Sequence, residues 1–126
     1  MTNPGRQTIG RLGEEAVCQH LIDKGCFIVE KNYHAGAGFH EEIDIIACDG
    51  KNILFVEVKT RKKDAMIPAV FAVTPQKQKR VFLCAQQFLA FHPSYNCYQP
   101  RFDVACVCVE NRKVTGIEYY ENAFSF

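Results

Sequence analysis

Asp44, Glu57 and Lys59 are the residues whose types and spacing bear most directly on chemistry. They flank Asp49-Gly50-Lys51-Asn52, a strong hairpin turn joining two apolar runs, Ile43 to Cys48 and Ile53 to Thr60. A turn that pairs Asp49 with Asn52 also pairs Cys48 with Ile53, and so sets Asp44 opposite Glu57 and Glu42 opposite Lys59. Alternation along a strand puts Glu57 and Lys59 on one face. A one-residue slip in the turn moves Asp44 from opposite Glu57 to diagonal, still within reach.

Opposed carboxylates repel: at ~5 Å and an effective dielectric of ~20, the cost is about 3 kcal/mol. The neighbours Ile43, Ile45, Ile46, Leu54, Phe55, Val56 and Val58 are apolar, so both strands are expected to be buried on both faces. A carboxylate pair there needs a cation, a shared proton or a hydrogen-bonded partner. Lys59 offers one charge and a divalent metal two, and oxygen-only ligands suit Mg²⁺ or Mn²⁺. Two carboxylates, a metal and a lysine are the tools of phosphodiester hydrolysis. The metal polarises the phosphate and activates water, and the lysine orients that water or holds charge developing on phosphorus. On spacing alone a second reading stays open, a sheet-edge ion network in which Lys59 pairs with Glu42 and Glu57. Glu14 sits at the rim of a helical apolar face. It either reaches over the sheet edge toward such a metal or is a solvated first-turn residue complementing the helix dipole.

The elements that must position these residues follow from periodicity. Gln7 to Lys24 has helical spacing, with Ile9, Leu12, Ala16, Val17 and Leu21 on one side and Gly25 closing it. Cys26 to Lys31 reads as a short strand, and Asn32 to His40 as a loose stretch. After the hairpin, Thr74-Pro75 starts a helix that carries Val81, Ala85, Phe88 and Leu89 inward and ends near His92-Pro93. Phe102 to Val109 is a fourth strand, turning at Glu110-Asn111-Arg112-Lys113 into a fifth. Helix, three strands, helix and two strands give an α/β fold with a mixed sheet flanked by helices.

At 126 residues, 48% of them hydrophobic and 23% charged, the chain has the size and composition of one globular domain, spanning 1–126. The net charge of +1 gives no overall pull on nucleic acid. Locally, Lys59, Arg61, Lys62, Lys63, Lys77, Lys79 and Arg80 face a single acid, Asp64, between positions 59 and 80. That segment is either a phosphate-facing patch or simply a solvated loop and helix face. Seven cysteines without a Cys-x-x-Cys pair fit apolar packing in a reducing compartment. With no apolar leader and no membrane-length run, the expectation is a cytoplasmic protein without membrane contact.

Gly10-Arg-Leu-Gly13-Glu14, Asn32-Tyr33, Glu42-Ile43-Asp44-Ile45-Ile46-Ala47 and Phe55-Val56-Glu57-Val58-Lys59-Thr60-Arg61 closely resemble the YraN-like family of small bacterial proteins. Lys77 before an apolar helix, and Arg101-Phe102-Asp103-Val104, match the same pattern over nearly the whole chain. That family looks like a branch of the restriction-endonuclease-like PD-(D/E)XK superfamily, similar to archaeal Holliday-junction resolvases. The resemblance implies an αβββαβ core, with Asp44, Glu57 and the Val58 carbonyl as metal ligands. It further implies Lys59 as catalytic lysine and Glu14 as the first-helix glutamate of the resolvase-like branch. Glu41 stands where the family usually has Gly, which bears on substrate handling.

Weaker signals complete the reading. His34 and His40 flank Ala35-Gly36-Ala37-Gly38, but a strand follows instead of the helix that a phosphate-gripping loop opens into. His40 and Glu42 are accessory candidates at the site. Phe82, Phe88 and Phe91 read mostly as core, while Arg61, Lys62, Lys63, Lys77, Lys79 and Arg80 are candidates for backbone phosphate contacts. Arg101 and Asp103 share a strand face and suit a local ion pair.

The leading function is a Mg²⁺- or Mn²⁺-dependent DNA endonuclease acting on branched or damaged DNA, with RNA left open. The alternatives are a non-catalytic nucleic-acid-binding module and an accessory protein docking through Tyr119, Tyr120, Phe124 and Phe126. Related nuclease folds often form homodimers to address two strands, and the sequence fixes no oligomeric state.

Overall fold

The computed structural model describes residues 8–36, 42–62 and 73–125. The first helix, α1, spans Ile9–Asp23. Thr8 caps it by accepting the Arg11 amide hydrogen at 3.2 Å, and Gly25, at φ +91°, takes the left-handed conformation that ends it. Val17 and Leu21 are buried as the periodicity predicts, with Cys18 beside them, while Leu12 and Ala16 are half-buried and Ile9, in the opening turn, is 38% exposed.

Strand β1, Phe27–His34, outruns the expected strand because its pairing with β2, Glu42–Cys48, continues to His34 opposite Glu42. Asn32 and Tyr33, assigned to a loop from sequence, therefore belong to the sheet. Strand β3, Asn52–Lys62, returns from the hairpin. The Asp49 carboxylate accepts the amide hydrogens of Lys51 at 3.0 Å and Asn52 at 2.7 Å, which hold its pKa down at about 2. Gly50 supplies the φ of +97° that the turn requires. The register set by this turn holds from Cys48/Ile53 to Ile45/Val56.

Helix α2, Pro75–Phe91, begins with Thr74 accepting the Lys77 amide hydrogen at 3.2 Å. It buries Val81, Cys84, Ala85 and Phe88, while Phe91 is 72% exposed and leaves the core. Strand β4, Gln99–Glu110, runs parallel to β3, and β5, Lys113–Phe124, runs antiparallel to β4. The five strands lie in the order β1-β2-β3-β4-β5. The expected αβββαβ core is present, with β5 added at one edge.

Alternation along β3 separates two cores. Ile53 and Phe55 pack with α2, and Leu54 and Val56 pack with α1. On the α1 side Asp103 is fully buried. Its carboxylate accepts from Arg101 Nε and Nη2 at 2.9 Å each, from the Tyr119 hydroxyl at 2.6 Å and from the Asn122 amide at 2.9 Å. The expected Arg101–Asp103 pair is thus part of a larger knot. Tyr119 also stacks on His20 of α1, and Phe124 is buried against Phe102. These two aromatics serve the core and are not a free docking tail; Phe126 lies outside the described residues. None of the seven cysteines is in a disulfide, and no described helix is long and apolar enough to cross a membrane.

Helix α1 packs tightly on the sheet at Gly13, where a side-chain carbon would land on Thr60 Oγ1 of β3. An alanine in mid-helix ordinarily gains about 1 kcal/mol over glycine. Here Gly13→Ala is expected to destabilise by about 1–3 kcal/mol through overpacking. Adding Thr60→Ala should recover most of that loss in denaturant melts. Two single effects that merely add in the double variant would refute the contact.

Candidate active site

Beyond Ile45/Val56 the β2–β3 ladder stops. Asp44 Oδ2 accepts the Val58 amide hydrogen at 2.8 Å, so a side chain takes the place of a backbone carbonyl. Among the described residues β2 pairs with none of β3 from Glu57 onward, and this break in the ladder is the notch beside Asp44. Glu57 points to the α2 side and is only 1% exposed. The predicted Asp44–Glu57 proximity is present, but the predicted opposition of Glu42 to Lys59 is not. Glu42 pairs instead with His34, at 2.8 Å from Oε2 to Nε2, because the β1–β2 ladder holds it on the other side. Among the described residues, Lys59 forms no ion pair with Glu42 or Glu57, and the ion-network reading lacks its central contacts.

Four carboxyl groups, those of Glu14, Glu42, Asp44 and Glu57, lie in one electrostatic neighbourhood. Burial first, and the Asp44 charge second, push the Glu57 pKa up to about 8. Asp44 is raised by burial and by Glu42, against the pull of the Val58 amide and of Lys77 and Lys59. Glu14, half-buried on α1, is raised by burial and then by the Asp44 charge. The Gly13 contact is what brings α1 close enough. Lys59 is lowered by burial and by the neighbouring Lys77 charge.

Lys77 is the residue whose place the sequence reading missed. Expected at a phosphate-facing helix start, its ammonium lies 3.5 Å from Glu57 Oε2 and is largely shielded. The Thr74 cap was legible, but nothing in the sequence set the start of α2 beside the C-terminal half of β3. The other oxygen, Glu57 Oε1, is buried with no hydrogen-bond partner among the described residues. A buried carboxylate oxygen so placed is short of a positive or hydrogen-bonding neighbour.

Among the described residues, no three His, Cys, Asp or Glu side chains form a ready metal cage. The oxygens that could hold a cation are those of Asp44 and Glu57, with the Val58 carbonyl adjacent in sequence. Two carboxylates and a carbonyl suit Mg²⁺ or Mn²⁺, which keep several waters. Beside Glu14 opens a cleft of about 570 Å³ lined by Thr8, Gly10, Arg11, Glu15, Lys31 and Asn32. Arg61 is half-buried two residues past Lys59, whereas Lys62, Lys79 and Arg80 are exposed. Lys63, His40 and Glu41 lie outside the described residues.

Residues 13–107 match the model of a family described as Uncharacterised protein family UPF0102. A UPF0102 protein of Alkaliphilus metalliredigens is 42% identical over 118 residues, covering 94% of this chain and 98% of the relative. One from Caldanaerobacter subterraneus is 36% identical over 126 residues, covering 98% of this chain and all of the relative. The structure of Archaeoglobus fulgidus Hjc, a Holliday junction resolvase, matches with a TM-score of 0.46 and 18% identity, covering 86% of this chain and 72% of that one. That likeness is too distant to transfer residue roles.

The raised Glu57 pKa makes stability depend on pH with a defined sign. Between the ordinary glutamate value of 4.5 and about 8, the folded state holds a proton that the unfolded state has released. Stability is therefore full below that window and falls as pH rises through it, by up to about 1.4 kcal/mol per pH unit. In EDTA, denaturant melts of Glu57→Gln should lack this decline. Parallel profiles for Glu57→Gln and the parent would refute it.

Proposed function

We propose that this chain, which belongs to the UPF0102 family, is a divalent-metal-dependent endonuclease that hydrolyses phosphodiester bonds in DNA. The observation that carries this reading is Glu57 itself, fully buried beside Asp44 with one oxygen unpartnered. A site kept for stability alone has no reason to hold two carboxylates together at the cost of raising both their pKa values. A Mg²⁺ or Mn²⁺ ion supplies the missing positive charge and, when bound, polarises the phosphate and lowers the pKa of water.

The protein's residues have separable tasks in this reading. Asp44 and Glu57, with the Val58 carbonyl, hold the cation, and the Val58 amide fixes the Asp44 carboxylate in place. Lys59, its pKa lowered by burial and by Lys77, faces the scissile phosphate. There it stabilises the negative charge that grows as water adds to phosphorus and the bond to the leaving oxygen breaks. The water proton passes to solvent or a nearby carboxylate, and the leaving oxygen takes a proton from solvent. Lys77 holds Glu57 in its rotamer, and Glu14 orients water at the notch. The resemblance of its motifs to a family that looks similar to archaeal Holliday-junction resolvases nominates branched DNA as the first substrate to try.

The test incubates purified protein with single-stranded, duplex and four-way-junction DNA in EDTA, Mg²⁺ or Mn²⁺. Cleavage is expected only with metal, falling to the EDTA level in Asp44→Asn and Glu57→Gln and by roughly 10²–10³-fold in Lys59→Met. Salt-sensitive binding with no cleavage of any substrate would instead support a binding module that keeps the fold. Equal cleavage by all variants would mark a contaminant.

A further inference from the structure

Arg61 follows Glu57 and Lys59 on the same face of β3, each two residues past the last. Its Nε is buried and has no hydrogen-bond partner. The parallel register sets Cys106 beside Lys59 and Cys108 beside Arg61, and neither neighbour can neutralise a guanidinium. On the other edge the β2–β3 ladder has ended at Ile45/Val56, so no described residue of β2 pairs with Arg61. A guanidinium cannot shed its charge by losing a proton, so Arg61, with no acid paired to it among the described residues, calls for an anion.

The spacing identifies the anion. Lys59 and Arg61 are roughly 7 Å apart along the strand, at ~3.4 Å per residue. Consecutive phosphates of an extended nucleic-acid strand follow one another at a similar interval. We infer that Arg61 is the binding residue for the backbone phosphate next to the one at Lys59, so that the cleaved strand runs along β3. This inference rests on the nuclease reading and adds to it a strand direction and a second phosphate site. Exposed Lys62 points to the other face and takes no part in the pair.

The test measures four-way-junction DNA binding by fluorescence anisotropy over a KCl series, in EDTA, with Asp44→Asn as the parent to bar cleavage. Arg61→Gln should bind about tenfold more weakly, as befits loss of a charged hydrogen bond. It should also flatten the slope of log K against log salt by about 0.9. Lys59→Met should flatten it by a similar amount, and the double variant by about 1.8 if the two residues hold separate phosphates. Without DNA, Arg61→Gln should melt no lower than the parent, since it removes an unpartnered buried N–H.

An unchanged affinity and slope in Arg61→Gln would overturn the inference and leave the nuclease reading standing. A double variant no flatter than either single one would place both residues on one phosphate and overturn the two-site geometry. Failure of the parent itself to bind any DNA would overturn both readings. Stabilisation by inorganic phosphate alone, lost in Arg61→Gln, would reassign the anion to free phosphate.

Discussion

The hydrogen bond from the Val58 amide to Asp44 Oδ2 is the constraint on which the site depends. A strand leaving its neighbour normally strands a buried N–H, and such a group costs about 1–3 kcal/mol if left unpaired. Here a side chain satisfies it, so β2 can part from β3 without that loss. The parting opens the notch, and the same bond fixes the carboxylate that lines it. Opening and lining are one event in the sequence, the choice of aspartate at position 44.

Everything placed around the notch then reflects a shortage of positive charge. Glu57 is buried by the α2-side core, and Asp44 adds a like charge to it. Lys77 relieves one oxygen and leaves the other bare. Two helices reach the notch from opposite faces of the sheet. From one side, α1 delivers Glu14 because Gly13 lets it settle onto Thr60. From the other, α2 delivers Lys77 from its first turn. Neither helix completes the site alone.

Much of this was legible before any coordinates, wherever the determining forces were local. The Asp49 turn set the β2–β3 register because its hydrogen bonds span three residues. The same turn could not show that the ladder would stop at Ile45/Val56, since a register extrapolates regularity and the site is where regularity ends. Glu42 was assigned to the wrong partner for that reason. Lys77 was misplaced because its neighbour Glu57 is distant in sequence and their meeting depends on how α2 packs. Tyr119 and Phe124 looked like surface aromatics until Asp103 and Phe102 claimed them. Arg61 was one of several basic residues by composition, and only its burial separates it from Lys62.

The parallel pairing of β3 with β4 carries a consequence for how the chain assembles. Every one of the 11 residues of β3 has a partner in β4, and the crossover between them contains α2. The β2–β3 hairpin can close on the microsecond scale from local contacts. The β3–β4 ladder must first close a long loop, an entropic toll that slows folding. Asp44 and Glu57 lie on the two arms of the local hairpin, whereas Lys77 lies in the long crossover that the β3–β4 ladder must close. The hairpin alone carries Asp44, Glu57 and Lys59, and the Lys77 contact to Glu57 comes from the crossover.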